Sequence, residues 1–313
     1  MRLRELGEFG LIARIERAAR RHRRGPTVVL GIGDDAALLR PRAGEDVALS
    51  TDALVEGVHF RFRTESARHV GRRALAAALS DLAAMGARPL GFTFALAAPP
   101  DLPARAAQGV VAGLLFEAAR HACPLVGGNV SRARETSLTL AVVGAVARGR
   151  ALTRAGARAG DRLVVTGVLG AMALAVARAE RGQGPLRRVP VPRLRAGRAL
   201  ARLPGIGGCI DVSDGLEADA HHLLAGTDLA PEIDAARLPR PRGFGAACAR
   251  LGLDPGQLAL AGGEDYELLF TVRHNGPSAA LLARRLGVAV SDVGRVVQSS
   301  RARARSPAGF RHF

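Results

Sequence analysis

SLTLAVVGAVARGRALTRAGARAGDRLVVT, residues 137–166, reads as a strand, a break and a second strand. Residues 137–146 form an apolar run that suits a strand. Residues 148–161 are rich in Gly and Arg, and the chain then restarts at 162–166. That restart predicts two domains, 1–148 and 149–313. The length allows it, at roughly 100–200 residues per domain.

Upstream of the break, residues 8–24 place Phe9, Leu11, Ile12, Ile15 and Ala19 at amphipathic-helix spacing. Strands are expected at 27–32, 47–50, 91–98 and 124–126, and helices at 70–85 and, behind Pro103, at 104–121. Downstream, a glycine turn (Gly167, Gly170) leads into a helix at 171–181, followed by a loop at 182–195 with Gly and three prolines. Strands at 209–212, 266–272 and 293–297 and helices at 215–224, 244–251 and 277–286 complete the reading. Neither half alternates strictly as a parallel βαβ array would, so the fold class is α+β with two domains.

Composition narrows the chemistry. The net charge of +17 comes from Arg alone, because the chain contains no Lys. Lysine-dependent phosphate loops, protein-kinase sites and Schiff-base catalysis are therefore excluded. Aromatic residues are 4%, with no Trp and one Tyr, which leaves few stacking platforms for nucleic acid, so no nucleic-acid partner is expected. The runs at 20–24 and 301–305 read as solvated faces. Cys123, Cys209 and Cys248 form no metal or redox pair. Without a run of about 18 apolar residues, no membrane span is expected. No signal-peptide core follows Met1, so the expected location is cytoplasmic.

Acids are scarce, and several sit in apolar or glycine-rich settings where an unpaired carboxylate is costly. Gly31-Ile32-Gly33-Asp34-Asp35-Ala36-Ala37 puts two carboxylates in a flexible turn. Ser50-Thr51-Asp52 closes a strand with hard oxygen donors of the kind Mg²⁺ prefers, and His59 follows. Ser80-Asp81 interrupts an apolar helical pattern. Gly127-Gly128-Asn129 offers glycines that let backbone N–H groups approach a phosphate. Asp211-Val212-Ser213-Asp214-Gly215 runs from a strand into a helix start, which suits both capping and anion binding. Gly262-Gly263-Glu264-Asp265-Tyr266-Glu267 sets three acids before an apolar strand. Each motif alone is an ordinary turn or cap. Together they imply several hard cations around a polyphosphate.

The same residues resemble the thiamine-monophosphate kinase family over nearly the whole chain. GIGDDAA, STDALVEGVHF, LSDLAAMGA, GRALTRAGARAGD, IDVSDGL and GGEDYELLFTV occur in the family's order, from Gly7-Glu8-Phe9 to Gly309–Phe313. The resemblance implies a two-domain fold like aminoimidazole ribonucleotide synthetase. Its N-terminal domain dimerises through its sheet, and its C-terminal domain closes the active-site cleft. It implies ATP, several Mg²⁺ ions and transfer of the γ-phosphoryl group to thiamine monophosphate. Carried over by motif, Asp35, Ser50, Thr51, Asp52, Asp81 and Asn129 resemble magnesium ligands of the first domain, and Asp211 and Asp214 those of the second. Gly128, Asn129, Arg154 and Ser213 resemble ATP contacts, and His59, Glu264 and Phe310 contacts to the thiamine substrate. Asp52, Asp81, Asp211 and Asp214 are the expected catalytic set. Two departures stand out: Asn129-Val130 where the family has Asp-Thr, and Ala171-Met172 where it has Asp-Ser.

The acceptor in that reaction is already an anion, so no general base is needed, and magnesium and positioning would do most of the catalysis. Rival readings are a related enzyme of the superfamily with another acceptor and a degenerate nucleotide-binding regulator.

Overall fold

The computed structural model describes residues 1–21, 26–33 and 35–299. The chain falls into two compact units. The first holds Met1–Leu82, Arg88–Arg148 and Ala179–Val189; the second holds Ala83–Ala87, Gly149–Arg178 and the chain from Pro190 onward.

In chain order the first part contains α1 (Leu3–Leu6), α2 (Glu8–Arg20), β1 (Val28–Leu30), β2 (Leu38–Leu39), β3 (Glu45–Val55), α3 (Ala67–Ala84), β4 (Arg88–Ala98), α4 (Ala104–His121), β5 (Leu125–Arg132) and β6 (Ser137–Ala147). Its main sheet has the order β3-β6-β4-β5. All neighbours are antiparallel except β4 and β5, whose parallel pairing follows from the crossover through α4. Along β3 and β6 one face carries Leu54, Leu138, Leu140 and Val142, all buried. The other face carries Val47, Leu49, Thr51 and Ala53, all exposed. Period-two alternation thus divides the strands into a core face and an uncovered face. α3 and α4 touch so closely that a Cβ on Gly113 would lie 2.0 Å from the carbonyl oxygen of Arg68.

The second part contains β7 (Arg162–Thr166), α5 (Ala171–Glu180), α6 (Leu194–Leu200), β8 (Ile206–Asp211), α7 (Leu216–Leu223), β9 (Leu229–Ile233), α8 (Phe244–Ala249), α9 (Pro255–Ala261), β10 (Leu268–Val272), α10 (Ala279–Leu286) and β11 (Val290–Gln298). Its sheet is antiparallel throughout, in the order β8-β10-β7-β11-β9. β10 is buried at every position, as a strand flanked by neighbours on both edges and covered on its faces must be. Leu163, Val165, Ile210, Leu216, Leu269 and Val293 anchor the core beneath α7 and α8.

The mixed α+β class expected from the sequence holds. Besides the short α1 and β2, three elements lay outside that expectation. α6 starts directly behind a proline-rich run. α9 is opened by the Asp254 side chain, which accepts from Gln257 N at 2.6 Å, with Pro255 in its first turn. β9 contains Pro231, which is tolerated because β9 is an edge strand. Among the described residues no helix is long and apolar enough to cross a membrane.

Candidate active site

In the first unit, β3 and α3 bring two of the polar motifs together. Ser50 and Asp52 are two residues apart and so share the face of β3 that α3 covers. Ser50 Oγ donates to Asp81 Oδ2 at 2.5 Å. Asp81 sits at the half-exposed border of α3, next to the fully buried Leu79, Ser80 and Leu82. Thr51 points to the opposite face, where its hydroxyl donates to the Leu140 carbonyl at 3.1 Å.

The glycine pair lies on edge strand β5. Gly128 pairs with Phe94, which pairs with Leu140 and, across it, Asp52; these residues form one row on the covered face. A side chain at Gly128 is barred sterically, since a Cβ would lie 2.1 Å from the Phe94 carbonyl oxygen. Asn129 follows on the uncovered face, in register with Ala95, Thr139 and Ala53. Pleat therefore separates the Asn129 side chain from Ser50, Asp52 and Asp81. Asp35 is exposed in the connection from β1 to β2; Asp34 lies outside the described residues.

His59 is held in a tight turn after β3. Val55 N–H donates to His59 Nδ1 at 3.1 Å, and His59 N–H donates to the Val55 carbonyl at 2.9 Å. With Nδ1 accepting, the ring proton sits on Nε2.

In the second unit, β8 ends on the buried Asp211, opposite Leu268 of β10. The turn that follows is fixed from two sides. Val212 N donates to the Glu267 carbonyl at 2.7 Å, Tyr266 N to the Val212 carbonyl at 2.8 Å, and Glu264 N to the Ser213 carbonyl at 2.7 Å. From the other side, Asp219 Oδ2 accepts from Ser213 N at 2.9 Å and Asp214 N at 3.0 Å. Gly215 permits the turn: its φ is 110°, and a Cβ there would lie 2.7 Å from the Ala261 backbone.

Asp219 is 1% exposed. Burial is the main reason its carboxyl is pushed up to about 6; the Asp214 amide hydrogen bond opposes that and the Asp214 charge adds to it. Asp214, Asp219 and His222 bring ligand-type atoms within 4.8 Å of one another. Sequence reasoning missed Asp219 and His222. Their signal was an acid and a His three apart on α7, amid the buried Leu216, Ala220 and Leu223. The consequence for the anion-binding expectation is direct: the N–H groups of Ser213 and Asp214 already hold an internal carboxylate. What remains for a ligand at this turn is the side chains of Ser213 and Asp214, both partly exposed.

The acids of the third glycine motif divide by task. Asp265 accepts from Gly170 N at 2.5 Å and Met172 N at 3.1 Å, so it caps the start of α5 from the segment before β10. Glu267 is buried and pairs with Arg193 and with Thr166 Oγ1. Glu264 is half-buried, with φ 64°, and Tyr266 has φ 51°. Left-handed backbone at non-glycine residues costs about 1–3 kcal/mol each and clusters at functional sites. Arg154 is exposed, and Phe310 lies outside the described residues.

The chain matches the family described as AIR synthase related protein, N-terminal domain, over residues 33–146. It is 40% identical over 305 residues to the thiamine-monophosphate kinase of Escherichia coli (strain K12), covering 93% of this chain and 90% of that protein. The crystal structure of thiamine-monophosphate kinase from Stenotrophomonas maltophilia K279a is similar with a TM-score of 0.80 and 36% identity, over 93% of this chain and 94% of that one. A structure of AaThiL complexed with AMPPCP and TMP is similar with a TM-score of 0.74 and 30% identity, over 100% and 99% of the two chains.

Proposed function

This chain belongs to the thiamine-monophosphate kinase family, and we propose that it transfers the γ-phosphoryl group of ATP to thiamine monophosphate, giving thiamine diphosphate and ADP. The observation that carries this reading is its end-to-end likeness to AaThiL, whose structure holds an ATP analogue and TMP. The pairing of Ser50 with Asp81 beneath β3 supports it, because it gathers hard oxygen donors on one face.

That donor chemistry fits Mg²⁺, which takes carboxylates and hydroxyls in preference to nitrogen or sulfur. Asp35, Ser50, Thr51, Asp52 and Asp81 are the proposed ligands in the first unit. Thr51 would serve through its backbone carbonyl, its hydroxyl being engaged with Leu140. Asp211 and Asp214 are the proposed ligands in the second. Bound Mg²⁺ would supply charge neutralisation between nucleotide and acceptor. Gly128, Asn129, Arg154 and Ser213 are proposed to contact ATP, and His59, Glu264 and Phe310 the thiamine substrate.

The residues then do two things. The carboxylates would hold the Mg²⁺ ions that let two anionic reactants approach each other. Arg154 and the Nε2–H of His59 offer donors to phosphate oxygens, stabilising charge on the transferring group. No residue needs to remove a proton, since a phosphate monoester is already anionic, so transfer is direct, without a phosphoenzyme.

Residues 1–148 are assigned the first metal set and dimerisation, and residues 149–313 the second metal set. A cytoplasmic homodimer is the proposed state of the protein. Val47 and Leu49, 56% and 71% exposed on the uncovered face of edge strand β3, support pairing through this sheet. Incubation with ATP, Mg²⁺ and thiamine monophosphate tests the function. Equal amounts of ADP and thiamine diphosphate are expected; transfer only to another acceptor would replace the reading with that of a superfamily relative.

A further inference from the structure

His69 and Arg73 lie four apart and so share one face of α3, and Glu65 sits two residues before that helix begins. All three are buried, at 3%, 7% and 4% exposure. Arg73 Nη1 donates to Glu65 Oε1 at 2.9 Å, and Glu65 Oε2 lies 2.6 Å from His69 Nδ1. The other ends of the network are backbone. Arg73 Nη2 donates to the carbonyl of His59 at 2.8 Å. His69 Nε2 lies 3.0 Å from the carbonyl of Arg188, which can only accept, so Nε2 donates.

The two ends belong to different segments. His59 sits in the turn after β3. Arg188 lies in the strap 179–189, which packs within the first unit. The strap is tied down twice more: Leu186 N donates to the Thr64 carbonyl at 2.7 Å, and Glu180 lies 3.5 Å from the Arg61 guanidinium. Arg61 in turn donates to the Gly57 carbonyl at 2.7 Å. Desolvating such groups is expensive, and a packed apolar core would serve stability as well or better. What an apolar cluster cannot do is hold two backbone carbonyls at fixed positions.

We propose that Glu65, His69 and Arg73 are positioning residues for the thiamine-phosphate site: they lock the His59 turn onto α3 and clamp the strap 179–189 beside it. This rests on the functional reading above, which places His59 against the substrate. His59 is then held at its carbonyl by Arg73 and at its ring by Val55, which fixes the direction of its Nε2–H.

Kinetics on the full chain test the proposal. Glu65→Gln, nearly isosteric, raises KM for thiamine monophosphate about tenfold while KM for ATP stays within about twofold. Arg73→Lys shows the same split, because a single ammonium cannot reproduce the guanidinium fork that spans Glu65 and His59. In a His59→Ala background, Glu65→Gln adds nothing further to that KM, since the network acts through His59. Trypsin reads the strap independently of turnover. Arg181, Arg187 and Arg188 are exposed there, and Glu65→Gln speeds cleavage after them. The proposal is overturned if folded Glu65→Gln keeps its KM for thiamine monophosphate, if both KM values rise together, if the double variant is additive, or if tryptic cleavage is unchanged. An unmodified chain that does not phosphorylate thiamine monophosphate counts against the functional reading instead, and the cleavage rates then judge the clamp alone.

Discussion

Ser50 and Asp81 are thirty-one residues apart, yet Ser50 Oγ donates to Asp81 Oδ2 at 2.5 Å. This contact joins a strand motif to a helix motif, and the proposed cation set is built on it. Asp52→Ala and Asp81→Ala should each lower kcat by at least about 100-fold with little change in melting temperature, because both carboxylates are partly exposed. Ser50→Ala should be milder, since it removes one hydroxyl and leaves both charges. Near-normal turnover in both aspartate variants would contradict the magnesium assignment.

Asn129 is a separate case. Its side chain lies on the uncovered face of the sheet, opposite Ser50 and Asp52. Asn129→Asp is therefore expected to leave the half-saturating Mg²⁺ concentration within about twofold of the parent. A clear drop in magnesium requirement would place Asn129 among the ligands and mean that β5 carries it round to the other side.

Asp219 holds the Ser213–Asp214 turn through two backbone amides. Asp219→Ala leaves those amides without their partner, which destabilises the fold by about 1–3 kcal/mol. It should also weaken the response to Mg²⁺, because Asp214 loses its fixed position. Asp219→Asn keeps an acceptor oxygen and should recover part of both losses. If neither the melting curve nor the magnesium titration moves, the turn does not depend on Asp219.

Glu117 tests the electrostatics of the first unit away from the site. Its carboxylate meets Arg72 at 2.7 Å, Arg120 at 3.4 Å and His121 at 3.5 Å. Burial alone would raise its pKa, but hydrogen bonds from His121 and Arg72 and the charges of Arg72 and Arg120 outweigh it, so the net shift is downward from 4.5. A lowered folded-state pKa means the stabilisation is fully present above 4.5 and disappears as pH falls through the lowered value. Glu117→Gln should therefore cost about 1–3 kcal/mol at neutral pH and nothing in strong acid. A pH-independent difference between the two proteins would show that the charge is not what matters.

The elements read best from sequence were those whose periodicity survives burial. α4 matches its expected bounds, and β6, α5 and α10 differ from theirs by a residue or two. β3 runs from Glu45 to Val55, beyond the expected 47–50 at both ends, because Glu45-Asp46 and Thr51-Asp52 are polar and hydropathy carries no strand signal there. α6, α9 and β9 were hidden by prolines that in fact open a helix or occupy an edge. The three acids of the Gly262–Glu267 motif looked alike in sequence. Asp265 and Glu267 are spent on Gly170, Met172 and Arg193, partners more than seventy positions away, which no local reading finds. Asp219 escaped notice for the opposite reason: an acid in the first turn of a helix is unremarkable until its buried partners are seen.

The central claim is that the terminal phosphoryl group of ATP passes intact to thiamine monophosphate. ATP labelled with ¹⁸O in the γ-phosphoryl group, incubated with the protein, Mg²⁺ and thiamine monophosphate, tests this most directly. Mass spectrometry of the product should show thiamine diphosphate with the label in its terminal phosphoryl group. Unlabelled product, or no thiamine diphosphate while ATP is consumed, would contradict it.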